Sequence, residues 1–124
     1  MSKILIVDDD PAIRDLYETA FKQIGLNVQT AVNGEEALSK SLSFKPDLLL
    51  LDIMMPEIHG LHVLDIIKAT PEAKDMKVVV FTALSDDEAK KKAEEFGAEG
   101  YIVKSQKTMA EVISYIQKLL NKKD

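Results

Sequence analysis

The chain has 124 residues, 46% of them hydrophobic and 30% charged, with a net charge of −5 and no cysteine. This suits one folded domain around a single core and argues against extended disorder. It excludes disulfides and thiolate metal sites, offers no run near the roughly 18 apolar residues of a membrane span, and opposes direct binding to nucleic acid.

Lys3 to Val7 reads as the first strand, stopping at Asp8 and Asp9. Asp10-Pro11 then opens a helix with an acidic N-cap and a proline at its first position. Ile13, Leu16, Tyr17, Ala20, Phe21 and Ile24 recur at steps of three and four as one apolar stripe, which Gly25 ends. Leu26 to Ala31 alternates and is more polar, as an edge strand does. Asn33, followed by Glu35 and Glu36, caps a second helix that runs to about Phe44.

Leu48-Leu49-Leu50-Leu51 is a continuous apolar run ending in one carboxylate, Asp52. With no polar alternation it reads as a strand buried on both faces, in the middle of a parallel sheet. A loop rich in Pro and Gly follows through Gly60, and then a helix carrying Leu61, Leu64, Ile67 and Ala69. Met54 and Met55 read as loop packing. His59 and His62, with Asp65 nearby, fall short of the ligand number a tetrahedral metal site needs and read as solvent-facing.

Lys77 to Phe81 is the fourth strand, ending at Thr82. Ser85 with Glu88 forms a capping-box pattern, and the helix after it buries little beyond Ala89, Ala93 and Phe96, so it is weakly anchored. Lys90, Lys91 and Lys92 read as its solvated face. Tyr101 to Val103 is the fifth strand, ending at Lys104, and Thr108 with Glu111 is a second capping box before Val112, Ile113, Ile116, Leu119 and Leu120. Residues 121–124 are expected to fray.

Five alternations of strand and helix predict an α/β fold, a doubly wound parallel sheet with helices on both faces. All strands of such a sheet point one way, so Asp8, Asp9, Asp52, Thr82 and Lys104 share the edge at which open α/β sheets bind ligands. At an effective dielectric of about 20, two carboxylates 5 Å apart repel by roughly 3 kcal/mol, so the acids need compensation. Lys104 supplies one source, and a hard divalent cation such as Mg²⁺ supplies another. A carboxylate beside both is arranged to accept a phosphoryl group, with the Thr82 hydroxyl able to donate to a phosphoryl oxygen.

The segments Ile4-Leu5-Ile6-Val7-Asp8-Asp9, Leu51-Asp52-Ile53-Met54-Met55-Pro56 with Gly60, Phe81-Thr82-Ala83 and Tyr101-Ile102-Val103-Lys104 together resemble the receiver domains of two-component response regulators, over essentially the whole chain. The resemblance implies one receiver domain over residues 1–124, a flavodoxin-like (βα)5 fold with strand order 2-1-3-4-5, and a phosphorylation-dependent switch. Asp52 is then the phosphoacceptor, served by a sensor histidine kinase or phosphotransfer protein. Asp9, Asp52 and the Met54 carbonyl hold Mg²⁺, with Asp8 acting directly or through water. Lys104 pairs with the phosphoryl oxygens. Thr82 and Tyr101 carry the change to the face formed by the fourth helix, fifth strand and fifth helix, where a downstream protein docks. Met54 and Leu84 flank the path of hydrolytic water and, being bulky and apolar, imply slow self-dephosphorylation. Ala83 leaves the site open to a donor.

The chain departs from the family at Ser105, where Pro is usual after a lysine whose peptide bond is typically cis. The bond here either stays cis at about 2.5–4 kcal/mol or turns trans and reshapes the loop that places Lys104. His59 stands where Asp or Asn commonly precedes the glycine, and only a loop adjustment is expected from it. The start, Met1-Ser2-Lys3, has no secretory pattern, so a cytoplasmic protein is expected, a monomer or weak dimer without membrane or nucleic-acid contact. A phosphatase of the haloacid dehalogenase type needs an acid where Met54 stands, and a flavin carrier needs a phosphate loop where Asp8-Asp9-Asp10-Pro11 would repel one. A phosphorelay intermediate and a receiver-like interaction module that is never phosphorylated are the remaining alternatives.

Overall fold

A computed structural model describes residues 2–54 and 59–121. The loop positions Met55 and Pro56, and the frayed end expected after Asn121, lie outside the described residues. The element order is β1 (Lys3–Val7), α1 (Pro11–Gln23), β2 (Asn27–Ala31), α2 (Gly34–Ser43), β3 (Leu48–Leu51), α3 (Gly60–Ala69), β4 (Lys77–Thr82), α4 (Asp87–Glu95), β5 (Gly100–Val103) and α5 (Met109–Asn121), with a short 3₁₀ turn over Lys104–Gln106. The five strands form one parallel sheet in the order β2-β1-β3-β4-β5. Among the described residues no helix is long and apolar enough to cross a membrane.

The period-two geometry of the buried strands divides the core in two. Leu5, Val7, Leu49, Leu51, Val78 and Val80 face one layer with Ala37, Val63, Leu64, Ile67, Ala89 and Ala93, drawn from α2, α3 and α4. Ile4, Ile6, Leu48, Leu50, Val79, Phe81 and Ile102 face the other, against Tyr17 and Phe21 of α1 and Val112 and Ile116 of α5. All four leucines of β3 are buried, as an unbroken apolar run in a central strand requires.

The caps show where short-range chemistry decides the helix ends. Asp10, Asn33 and Asp86 each accept a backbone N–H of the first helical turn, at α1, α2 and α4. The cap of α4 is thus Asp86 and not Ser85. With the helix starting one residue later, the Asp86 carboxylate meets the Glu88 N–H at 3.0 Å. Thr108 and Glu111 do form a reciprocal box, Glu111 accepting from the Thr108 amide at 2.9 Å and Thr108 from the Glu111 amide at 3.2 Å. His59 caps α3 through Nδ1, which accepts the Leu61 N–H at 3.1 Å.

Several apolar residues lie less deep than their spacing suggests. Phe96 is 37% exposed because it is the C-cap of α4 and lies beyond the buried side of the helix. Leu16 of α1 is also exposed, and so is Ile24, which is the C-cap past the end of that helix. Leu26 precedes β2 instead of opening it, its amide bonding back to the Phe21 carbonyl in the turn around Gly25.

Two close approaches fix α3 and α4. A Cβ at Gly60 would collide with the Ile53 Cα and the Asp52 carbonyl oxygen, so only glycine lets α3 start this near the end of β3. At the opposite edge of the sheet, Lys68 of α3 donates to the Met76 carbonyl at 2.8 Å and to Glu99 at 3.0 Å, while Glu99 also accepts the Val78 N–H at 2.6 Å. Gly97, just past α4, packs on the Lys68 stem.

Candidate functional site

Strand register assembles the site. Val7 pairs with Leu51, so Asp8 and Asp52 emerge level from β1 and β3, and the Asp52 amide still donates to the Val7 carbonyl at 3.0 Å. Thr82 pairs with Val103, which brings Lys104 to the same edge from β5. The Lys104 ammonium donates to Asp8 Oδ2 at 2.7 Å and to Asp52 Oδ2 at 3.2 Å. The peptide bonds of the described residues are all trans, that before Ser105 included, and the loop resolves into the 3₁₀ turn without turning Lys104 away.

Asp8 and Asp52 are buried, and Asp9 is exposed. Each of the three offers an oxygen, and the three oxygens lie within 4.8 Å of one another. Ligands of one octahedral Mg²⁺ stand about 3.0 to 4.2 Å apart when each metal–oxygen bond is near 2.1 Å, so small side-chain shifts suffice. The donor set, carboxylate oxygens with no nitrogen or sulfur, fits a hard cation of this kind.

The remaining lone pairs are organised by the turns. Asp8 Oδ1 accepts the Asp10 N–H at 3.0 Å, and Asp52 Oδ1 accepts the Met54 N–H at 2.9 Å. Burial pushes the Asp8 carboxyl above the usual carboxylate range, and the hydrogen bonds from Lys104 and Asp10 only partly offset it. Burial pulls the Lys104 ammonium down, but its hydrogen bond to Asp8 and the charges of Asp52 and Asp8 outweigh that, and its pKa is raised. Lys104 is therefore a fixed positive charge under physiological conditions. Its ammonium also lies 5.5 Å from the centroid of the Phe81 ring.

Thr82 is fully buried, and its hydroxyl oxygen accepts the Leu84 N–H at 3.3 Å. The Tyr101 hydroxyl donates to the Leu84 carbonyl at 2.7 Å. Both residues thus hold one loop residue, from its two ends. Met54 is not packing its loop as expected, since the residue is 51% exposed.

Sequence reasoning missed Arg14, whose guanidinium donates to the Asp8 carbonyl at 2.7 Å. Its one available signal is position: a residue one turn into a helix points its side chain back over the N-terminus, here toward the acidic turn.

A family model described as the response regulator receiver domain matches residues 4–117. Among curated relatives, the DNA-binding dual master transcriptional regulator RpaA of Synechocystis is 33% identical over the whole of this chain and 51% of its own length. The probable transcriptional regulator ycf27 of Guillardia theta is 41% identical over 82% of this chain and 39% of its own. The chain thus spans about half or less of the length of these relatives. Among solved structures, the response regulator TrrA of Thermotoga maritima, in complex with Mg²⁺ and BeF, is 39% identical with a TM-score of 0.84, covering 96% of this chain and 99% of that one. A CheY-like receiver domain protein from Methanospirillum hungatei is 30% identical with a TM-score of 0.89, covering 98% and 94%. With five parallel strands in the order β2-β1-β3-β4-β5 and acids at their carboxyl ends, the chain belongs to the receiver domains of two-component response regulators, a family of signalling switches.

Proposed function

We propose that residues 1–124 act as one phosphorylation switch in which Asp52 accepts a phosphoryl group from a phosphohistidine on a sensor histidine kinase or phosphotransfer protein. The observation that carries this reading is the single ammonium of Lys104, bonded at once to Asp8 and Asp52 from strands that are distant in sequence. An Asp52 carboxylate oxygen attacks phosphorus, the P–N bond breaks with its electron pair passing to the imidazole, and an aspartyl phosphate results. Lys104 holds the charge that moves onto the phosphoryl oxygens, and the Met54 amide orients the acceptor carboxylate. Asp9, Asp52 and the Met54 carbonyl, with Asp8 directly or through water, would hold Mg²⁺, which supplies charge neutralisation to the transferring group. Return to the resting state is attack of water on phosphorus, releasing inorganic phosphate and the carboxylate. Met54 and Leu84 crowd the approach of that water with apolar bulk, and self-dephosphorylation is slow.

The output follows from Leu84. When the Thr82 hydroxyl turns to a phosphoryl oxygen it gives up the Leu84 N–H, and the loop then shifts at the residue to which Tyr101 is tied. The change reaches the α4–β5–α5 face, where a downstream protein docks. The net charge of −5 opposes direct contact of these residues with a nucleic-acid backbone, so this face is read by protein contact.

Incubation with Mg²⁺ and acetyl phosphate, read by intact mass, tests this. One added phosphate is expected on wild type and none on Asp52→Ala, with a label lifetime well beyond seconds at neutral pH. Absence of label on wild type would leave the chain as an interaction module alone, and a half-life of seconds would remove the assignment of Met54 and Leu84.

A further inference from the structure

We infer that Arg14 is a positioning residue for the Asp9 carboxylate, setting the affinity of the acidic edge for Mg²⁺ without touching the phosphoryl group. This rests on the proposed function of the same site. The two buried acids have their own supports: Asp8 is held by Lys104 and the Asp10 amide, Asp52 by Lys104 and the Met54 amide. Among the described residues no hydrogen bond or ion pair holds the exposed Asp9 carboxylate, so its place depends on its backbone. That backbone leaves the sheet at Asp8, whose amide makes the last bond to β2, donating to the Ala31 carbonyl at 3.2 Å. The Asp8 carbonyl, one atom from the Asp9 nitrogen, is instead taken by the Arg14 guanidinium at 2.7 Å. Arg14 is itself fixed to the cap of α1, its amide donating to the Asp10 carbonyl at 3.0 Å. The Asp8–Asp9 peptide is thereby clamped between β2 and the first turn of α1.

Charge and geometry predict opposite signs here. Arg14 places a cation near three carboxylates, so removing it should tighten Mg²⁺ binding if electrostatics alone mattered. Loss of the clamp frees the Asp9 peptide and should weaken it, as loss of groups that support metal ligands does.

Calorimetric titration of MgCl₂ into wild type and Arg14→Met, both shown folded by circular dichroism, reads the sign. Affinity is expected to fall about tenfold in the variant, while acetyl phosphate labelling at saturating Mg²⁺ recovers to near the wild-type rate. Unchanged or tighter binding overturns the inference, as does labelling that stays low at saturating Mg²⁺, which would put Arg14 on the phosphoryl group. Arg14→Lys is the companion should the methionine variant fail to fold. It keeps the charge but ends a bond short of the Nη1 atom that makes the contact, and is expected to bind at least as weakly; wild-type affinity in it also overturns the inference. A wild type that neither binds Mg²⁺ nor takes label defeats the proposed function, whereas one that does both beside an unaltered Arg14→Met defeats this inference alone.

Discussion

Helices α1 and α4 flank the same acidic edge from opposite faces of the sheet, and they are held to it by very different amounts of apolar surface. Helix α1 buries Tyr17, Ala20 and Phe21, with the Tyr17 ring edge-on to Phe81 of β4 at 5.2 Å between centroids. Helix α4 buries only Ala89 and Ala93. At about 0.8 kcal/mol per methyl-sized group the second anchorage is small, whereas a buried aromatic residue alone contributes about 1.5–3 kcal/mol. The contrast assigns roles. The helix that carries the acidic turn and Arg14 is the firmly packed one, and the helix beside Thr82 and Leu84 buries little, as the moving element of the proposed switch would.

The sharpest way to break this contrast is to empty each anchorage. Phe21→Ala is expected to cost about 3–5 kcal/mol in urea unfolding, and Ala93→Gly about 1 kcal/mol. Equal losses would mean that α4 is as firmly built in as α1.

Next in size is the response to pH of the turn that α1 mounts. Asp8 and Lys104 both have raised pKa values, so the folded state holds each proton more tightly than the unfolded chain does. That contribution is complete below the ordinary carboxylate range for Asp8 and below the ordinary lysine range for Lys104, and each is lost as pH rises through the raised value. Lys104→Met removes the main influence holding Asp8 down. Its Asp8 carboxyl is expected to titrate higher still, and the variant to gain stability as pH falls from neutral toward weakly acidic values. Carbon-detected NMR of the carboxyl groups with urea unfolding across that window checks both; an unmoved Asp8 would mean that the two groups do not interact.

The smallest effect is the cleanest test, because the two helices have matched caps. Asp10 accepts the Ala12 N–H and Asp86 the Glu88 N–H, each at 3.0 Å. Replacing either by Ala costs about 1 kcal/mol locally. In Asp10→Ala the loss should appear in the global urea midpoint. In Asp86→Ala it should appear as faster hydrogen exchange of the α4 amides while the midpoint stays in place.

The outline of this molecule was open to reading because its strands are apolar runs and its helices are stripes, and both signals are set within a few residues. The meeting of Asp8, Asp52 and Lys104 was legible for a related reason: in a parallel sheet the end of each run names a residue at one edge. What escaped depended on local geometry that composition does not encode. Ser85 and Asp86 are both good caps, and only the starting residue of α4 chooses between them. Phe96 fits the apolar stripe by spacing, but lies at the C-cap, where the helix no longer faces the core. Arg14 gave no motif, since its partner is a main-chain carbonyl that every residue possesses.

The tie between Lys68, Met76, Val78 and Glu99 lies at the end of the sheet remote from Asp52, beside the last residue of α4. With Gly97 packed on the Lys68 stem, it holds the chain just past the foot of α4. A nine-residue helix is about 13 Å long, so a tilt of 10° about that foot carries its other end roughly 2 Å. In the proposed switch a pivot there makes the displacement of α4 largest next to the Leu84 loop and smallest where the chain turns into β5, as in a lever worked from its free arm.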